Sequence, residues 1–411
     1  MRRQTFQHVD REALATDLRR ALKEARPDPR ESSAHLATIR LFTRTLGVVA
    51  VLSMWLPTQT IVPWLSMSLY LFSKWTMLAH HILHGGYEPA IQRGTYARPT
   101  TFRRIVDWLD WMSPDAWDFE HNHLHHYNLS ETTDPDLVEH RFEHIRKLPS
   151  IISLVLIVLP AMLTWKWSYY ASNTYHHLLA RGRPRENVAR KPPTSENEVA
   201  RESRTSGSEN IFWRFMLAVR TIGIPSYLRE NSARESARLL LQVMAPHFAM
   251  WFLLLPSAYY VFFLAISTPE MALCVANRVV ANVCLGELVT NIHSFVVITP
   301  NHTGPDLYRF SSSCVPNSGE FYLRQIIASA NFTSCGPVSD FLQGYLNYQV
   351  EHHLFPKESM LCVRCLAPRV RAICDAHNIP YIRQNVFWRF LLTVGTMVGI
   401  CTMKKYDDCQ Q

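Results

Sequence analysis

Apolar residues in this chain gather into long blocks instead of alternating or recurring on one face. Residues 42–78 carry no charge apart from Arg44 and Lys74, and Pro57-Thr-Gln-Thr and Pro63 break them near the middle. A single bilayer span takes about 20 residues, so this block predicts a tight hairpin of two spans, which returns the chain to its starting side. Residues 239–266 and 271–298 are two further apolar blocks and predict a second hairpin. Residues 148–171 are apolar as well. Counting them as a crossing would make the number odd before the C-terminal third, so they are expected to form a re-entrant or interfacial helix. Residues 386–403 form a short block that carries Arg389 and is expected to lie on the bilayer, with Gly395 and Gly399 at helix-packing spacing.

Charge sets the orientation. Of 411 residues, 47% are hydrophobic and 18% charged, and the net charge of +8 sits in the Arg-rich blocks 1–44 and 181–239. Basic blocks beside apolar ones mark the cytosolic side of a membrane protein and argue against a nucleic-acid binder. Residues 1–44 are therefore expected to be a cytosolic arm, and residues 181–209, polar and Pro/Ser-containing, a flexible insertion. The first twenty residues lack an apolar core of the secretory type, so insertion is expected to depend on internal segments. The nine cysteines show no disulfide framework, and Cys362-Val-Arg-Cys365 has no second pair at zinc-ribbon spacing.

The nineteen histidines are what turn this topology toward chemistry. His80-His81-Ile-Leu-His84 closes the first hairpin. Its i, i+4 pair places two imidazoles on one helix face, as two ligands of one metal require. His121-Asn-His123-Leu-His125-His126 repeats that pairing and adds a neighbour, and Gln349-Val-Glu-His352-His353 ends in a tandem pair. His140 with His144, and His176-His177, show the same spacings among charged or Tyr-rich neighbours and read as surface. One such pair is an ordinary event. Their repetition on one predicted side of the bilayer is not, although imidazole alone does not distinguish Fe, Cu, Zn and Ni.

Together these clusters resemble the three histidine boxes of the membrane fatty acid desaturase superfamily, HxxxH, HxxxHH and [HQ]xxHH. The likeness is greatest at Asn331-Phe-Thr and from Asp340-Phe-Leu-Gln-Gly-Tyr-Leu-Asn-Tyr-Gln349 to His352-His353-Leu-Phe-Pro356, which resembles the third box of front-end acyl desaturases and their bacterial relatives. The resemblance covers residues 45–385 and leaves 386–411 as a membrane-associated C-terminal segment. It implies an all-α integral membrane fold, two helical hairpins carrying a cytosolic helical cap with a dimetal site. It also implies ligation of two iron ions by His80, His84, His121, His125, His126, His352 and His353, and Asn301-His302 resembles the position where members carry a further ligand on the last span before the third box. His293, deeper in the apolar run, competes with His302. Gln349, a poorer ligand, and His81 and His123, extra to the pattern, are expected to bind weakly or to support the ligands.

The implied activity is an O2-dependent desaturation of a fatty acyl chain on a lipid, thioester or sphingolipid. No catalytic group is expected apart from the metal ligands. A hydroxylase or ketolase of the same superfamily would share these residues, and a histidine-rich metal transporter would place histidines within the spans, where only His247 and His293 lie. No His-Pro-Gly-Gly haem stretch and no GxGxxG occurs, so electrons are expected from a separate carrier such as cytochrome b5 or ferredoxin, in the endoplasmic reticulum or a bacterial inner membrane. Acids between the boxes, Asp110, Asp118, Glu120, Asp134 and Asp136, with Glu351 in the third, are candidates to orient imidazoles, though capping and solvated surface are expected for most. Trp108, Trp111 and Trp117 are expected at the membrane interface or in packing. The sequons at Asn128, Asn301 and Asn331 are expected to be unmodified on the cytosolic side.

Overall fold

The computed structural model describes residues 6–87, 110–111, 114–141, 146, 148–166, 169–170, 173, 237 and 239–406. The Arg-rich insertion, His176-His177, His144 and Trp108 lie outside them. Helix α1 (Arg11–Ala25) is capped by Asp10, whose carboxylate accepts from the Glu12 and Ala13 amides. Helix α2 (Pro29–Ser53) starts behind Asp28 with proline in its first turn, where a missing N–H is harmless. It runs straight through position 44. After a turn, α3 begins at Val62–Ser73 and continues to residue 83. α2 and α3 are antiparallel neighbours, with Thr43 donating to Ser73 and Gly47 lying against Tyr70. Packed against them, α7 (239–266) and α8 (Pro269–Ile298) form a second antiparallel pair around the Thr268 cap.

Helices Pro29–Ser53, Ala245–Ile266 and Pro269–Asn301 are long and apolar enough to cross a membrane. α8 runs beside α3 at its centre because Gly286 offers no side chain there: a Cβ would lie 2.8 Å from the Met67 Cγ. Asn282, fully buried on α8, donates to the Met54 and Leu56 carbonyls at 2.9 and 3.0 Å, satisfying the frayed C-terminal end of α2. Between the hairpins, α6 (Ser150–Leu163) exposes Ile151, Val155, Leu159 and Leu163 along one face. Its continuation turns in against α8, where the Lys166 amide donates to Asn291 Oδ1 at 2.8 Å.

Among the described residues, five stretches widen from α to π geometry, and they fall into two kinds. Leu239–Met244, Met250–Leu254 and Leu154–Val158 each end two residues before a proline, Pro246, Pro256 or Pro160. Proline removes a helical donor and crowds the preceding turn, and the wider turn relieves both. Lys74–Ala79 and Asp118–His125 have no proline to accommodate; they carry or adjoin the first two histidine clusters.

The remaining elements form a cap. α4 (114–125) holds the second cluster and α5 (Val138–Arg141) follows it. Then come α9 (Gly319–Ile327), α10 (Pro337–Leu342), α11 (Gln349–Leu354) with the third cluster, α12 (Met360–Ala376) and α13 (Val386–Met397). Two parallel pairs of two-residue strands fasten distant segments: β1 (Tyr308–Arg309) to β4 (Lys404–Lys405), and β2 (Asn331–Phe332) to β3 (Arg383–Gln384). The cap core joins Leu14 and Leu18 of α1 to Leu323 and Ile326 of α9, Val350 of α11 and Leu366 and Val370 of α12. Residues 11–25 therefore pack as part of the cap.

Asn282→Leu should keep the volume of this junction while leaving both α2 carbonyls unpaired. A loss of about 1–3 kcal/mol is expected, read as a lowered thermal midpoint of the detergent-purified protein with its helical content unchanged.

Candidate metal centre

Four segments bring their imidazoles together. His80 and His84 sit at the end of α3, His121, His125 and His126 on α4, His302 just beyond α8, and His352 and His353 on α11. Nitrogens of His80, His84, His121 and His352 all lie within 4.8 Å of one another, and so do those of His125, His302 and His353. His126 stands between the two groups. Its ring centroid is 4.6 Å from that of His84 and stacks at 4.1 Å on His353, and its Nε2 is 3.2 Å from His121 Nε2.

The π geometry of α4 makes this possible. The His126 amide bonds back to the His121 carbonyl, five residues earlier, so His121, His125 and His126 all reach one side of a helix that normal winding would spread further. α11 is fixed from behind by residues pointing away from the imidazoles. Asn331 accepts the Val350 amide at 2.8 Å and donates to Glu351 Oε2 at 2.8 Å, while the Tyr381 hydroxyl donates to Glu351 Oε1 at 2.8 Å. Burial raises the Glu351 carboxyl to about 7, despite the donors that favour its ionised form.

Hydrogen bonds also set the tautomers. Nδ1 of His80 donates to the Thr76 carbonyl at 3.2 Å, His302 to Ala328 at 3.4 Å, His353 to Gln325 Oε1 at 3.1 Å and His125 to Asp134 Oδ1 at 2.9 Å. In a neutral ring this leaves Nε2 as the lone pair turned toward its neighbours. Asp134 is itself held by the Ser130 and Asp136 amides at 2.7 and 2.9 Å. Burial, reinforced by the neighbouring imidazoles, holds His84, His121, His126, His302, His352 and His353 well below the usual histidine range. His125 is the exception: burial lowers it, but Asp134, with Asp136 and Glu120 beyond, carries it up to about 9.

Buried nitrogens with no protein partner include His80 Nε2, His84 Nε2, His126 Nδ1, His353 Nε2 and both ring nitrogens of His352. A desolvated neutral imidazole without a hydrogen bond is costly. Several facing one another form the donor set that a transition-metal ion completes. The residues fit such ions.

The other expected candidates fall around this nest. Gln349 is buried and donates to His302 Nε2 at 2.9 Å. His81 is buried, its ring centroid 5.4 Å from that of His352, but joins neither group. His123 is exposed on the outer face of α4. His293 stacks on Phe72 at 3.9 Å and faces the Leu342 carbonyl at 2.6 Å, away from the cluster. The acids depart from the expectation of capping and solvated surface. Asp110, Glu120, Asp134 and Glu351 are buried, and Asp134 is the one with a direct hydrogen bond to a clustered imidazole among the described residues. Trp117 lies inside the site and stacks on His121 at 4.5 Å. Trp111 is buried beside Tyr170. Asn301 and Asn331 are buried, so neither side chain could carry a glycan in this fold.

Gln325, Tyr169, whose hydroxyl is 3.4 Å from His121 Nδ1, and Tyr381 were not foreseen. Beside them lies a buried ionic group that links the segment after α6 to α7 and α8. Lys166 Nζ sits 3.0 Å from Glu287 and 3.4 Å from Asp110, and His247 Nε2 is 3.1 Å from Glu287.

Residues 53–385 match the family model described as fatty acid desaturase. Among curated relatives, the chain is 30% identical over 149 residues to an NADPH-dependent stearoyl-CoA 9-desaturase of Mycobacterium tuberculosis, covering 36% of this chain and 34% of the relative. It is 32% identical over 128 residues to Delta(6)-fatty-acid desaturase fat-3 of Caenorhabditis elegans, covering 31% and 27%. It is 31% identical over 102 residues to Delta(8)-fatty-acid desaturase 1 of Arabidopsis thaliana, covering 25% and 22%. The chain thus spans about a third or less of the length of these relatives. No solved structure matches it.

Asp134→Asn should preserve the fold but loosen the orientation of His125. Metal affinity is expected to fall about 10- to 100-fold, measured as metal retained after dialysis against graded chelator.

Proposed function

Because this chain belongs to the fatty acid desaturase family, we propose that it is a membrane-embedded oxidoreductase that removes two hydrogens from adjacent carbons of a fatty acyl chain. The observation that carries this reading is the paired nest of imidazoles, all buried but the half-buried His302, one group of four and one of three, with His126 between them. On this reading His80, His84, His121 and His352 hold one iron ion and His125, His302 and His353 the other, and His126 faces both. Gln349 completes the rim beside His302.

Two bound irons with O2 supply an oxidant strong enough to attack an unactivated methylene, which no side chain can do. The chain's own residues do the rest. Nδ1 contacts to Thr76, Ala328, Gln325 and Asp134 fix the tautomer of four imidazoles, so that deprotonated nitrogens are presented without a folding rearrangement. Trp117, stacked on His121 and edge-on to His80 and His84, closes one side with apolar surface and keeps water from the reacting carbons. The membrane helices α3 and α8 end at His80 and His302, so an acyl chain rising from the bilayer would meet the metals where these helices stop.

Two helical hairpins with the cap on the cytosolic face suit the Arg-rich blocks. The membrane would be the endoplasmic reticulum or a bacterial inner membrane. Electrons would arrive from a separate carrier such as cytochrome b5 or ferredoxin; the mycobacterial relative is named as NADPH-dependent, which agrees with an external source of reductant. The acyl chain would be carried on a lipid or thioester, as the names of the relatives suggest.

Expression of the wild type and of His352→Ala in a lipid-profiled host provides the test. The wild type should yield an acyl product lacking two hydrogens, and the variant should show background only. A product that gains one oxygen would replace this reading with a hydroxylase, and an identical new product from both proteins would remove the metal assignment.

A further inference from the structure

Beyond residue 385, where the family match ends, the chain returns to the loop that carries His302. Arg389 of α13 is the charged residue it brings. Its side chain is fully buried, and its Nη1 forks onto Asp306 at 2.6 and 2.7 Å. Nη2 donates to the Thr303 carbonyl at 2.9 Å and the Pro300 carbonyl at 3.3 Å. Thr393, one turn further along α13, donates to the same Thr303 carbonyl at 3.1 Å.

These acceptors bracket His302. Pro300 lies two residues before it, Thr303 follows it, and Asp306 ends the same turn. The approach is close enough that a Cβ at Gly304 would lie 2.6 Å from Nη2. Past Asp306 the strap continues: the Lys404 amide donates to the Leu307 carbonyl at 2.8 Å, and β4 pairs with β1. Between α8 and β1 the segment that holds His302 has, beyond a short 3-10 turn at Thr299–Asn301, no regular structure of its own; Ala328, Ala330, Leu346 and Gln349 hold it from one side and the 386–405 strap from the other. A guanidinium grips a carboxylate and two carbonyls at once because its donors form a rigid planar fork; an ammonium, with three donors on one nitrogen, does not reproduce that geometry.

We propose that Arg389 is a positioning residue for His302, and that the C-terminal strap 386–405 is what completes the three-histidine half of the centre. This rests on the dimetal reading above. His302 belongs only to the group with His125 and His353, so losing the grip should affect one metal position and spare the other.

Full-length wild type, Arg389→Lys, Asp306→Asn and, as a control, Trp388→Ala at an exposed position of the same helix would be purified in detergent and loaded with iron. Iron per chain and the Mössbauer signature of a coupled pair would be read alongside the thermal midpoint. The expected result is two irons in wild type and Trp388→Ala. Arg389→Lys and Asp306→Asn should fold but hold the second iron about 10- to 100-fold more weakly, giving near one iron per chain and an uncoupled signature. Two tightly held irons in both variants would overturn the proposal, and so would failure of both to fold, which would make the pair a support of the fold alone. A wild type that binds fewer than two irons would instead remove the dimetal reading.

Discussion

Burial of many neutral imidazoles face to face is the constraint around which this molecule is arranged. Nitrogens stripped of water and left without partners are unfavourable. Chains do not accumulate them by chance, and His80, His84, His126, His352 and His353 all present them in one place. The arrangement is held open by contacts on the outer nitrogens, so that the inner ones remain bases. On the proposed reading, metal ions supply the missing partners.

Convergence of distant segments requires rigid supports, and two long helices provide them. α3 and α8 pack closely through Gly286 and end near one another, which delivers His80 and His302 to the same level. α4 must then supply three imidazoles from six residues, and it does so by winding more widely than an α-helix. α11 needs its two histidines pointed to one side, and the buried Asn331–Glu351–Tyr381 group fixes it from the other. The Lys166–Glu287–Asp110 contacts tie the stretch beside α4 to the membrane helix α8, so cap and membrane parts share one register. Such buried ions are expensive unless mutually paired, and here each has a partner.

The legible part of the site was its chemistry and local spacing. His80 with His84, and His121 with His125, stand four residues apart, and that periodicity needs only a helix to bring two rings onto one face. The sequence left His302 and His293 as competitors; in the fold His302 lies 5.1 Å from the ring of His125, while His293 stacks on Phe72. Asp134 was one acid among many. Nothing in its neighbourhood distinguishes it from Asp136 or Asp118, since the turn that aims its carboxylate at His125 is set by amides at Ser130 and Asp136. Trp117 looked like any aromatic near a membrane. Gln325, Tyr381 and Arg389 carried no local signal, because each acts on a residue more than twenty positions away.

The order of residues by itself determined the apolar blocks, the helices they form and the number and type of imidazoles offered, because these depend on neighbours within a turn or two. Only the tertiary structure decided which imidazoles share a group, which acid orients them, that α4 widens, and that the end of the chain closes on the loop after α8. Those outcomes depend on close packing between segments far apart in sequence, where a shift of an ångström separates a ligand from a bystander.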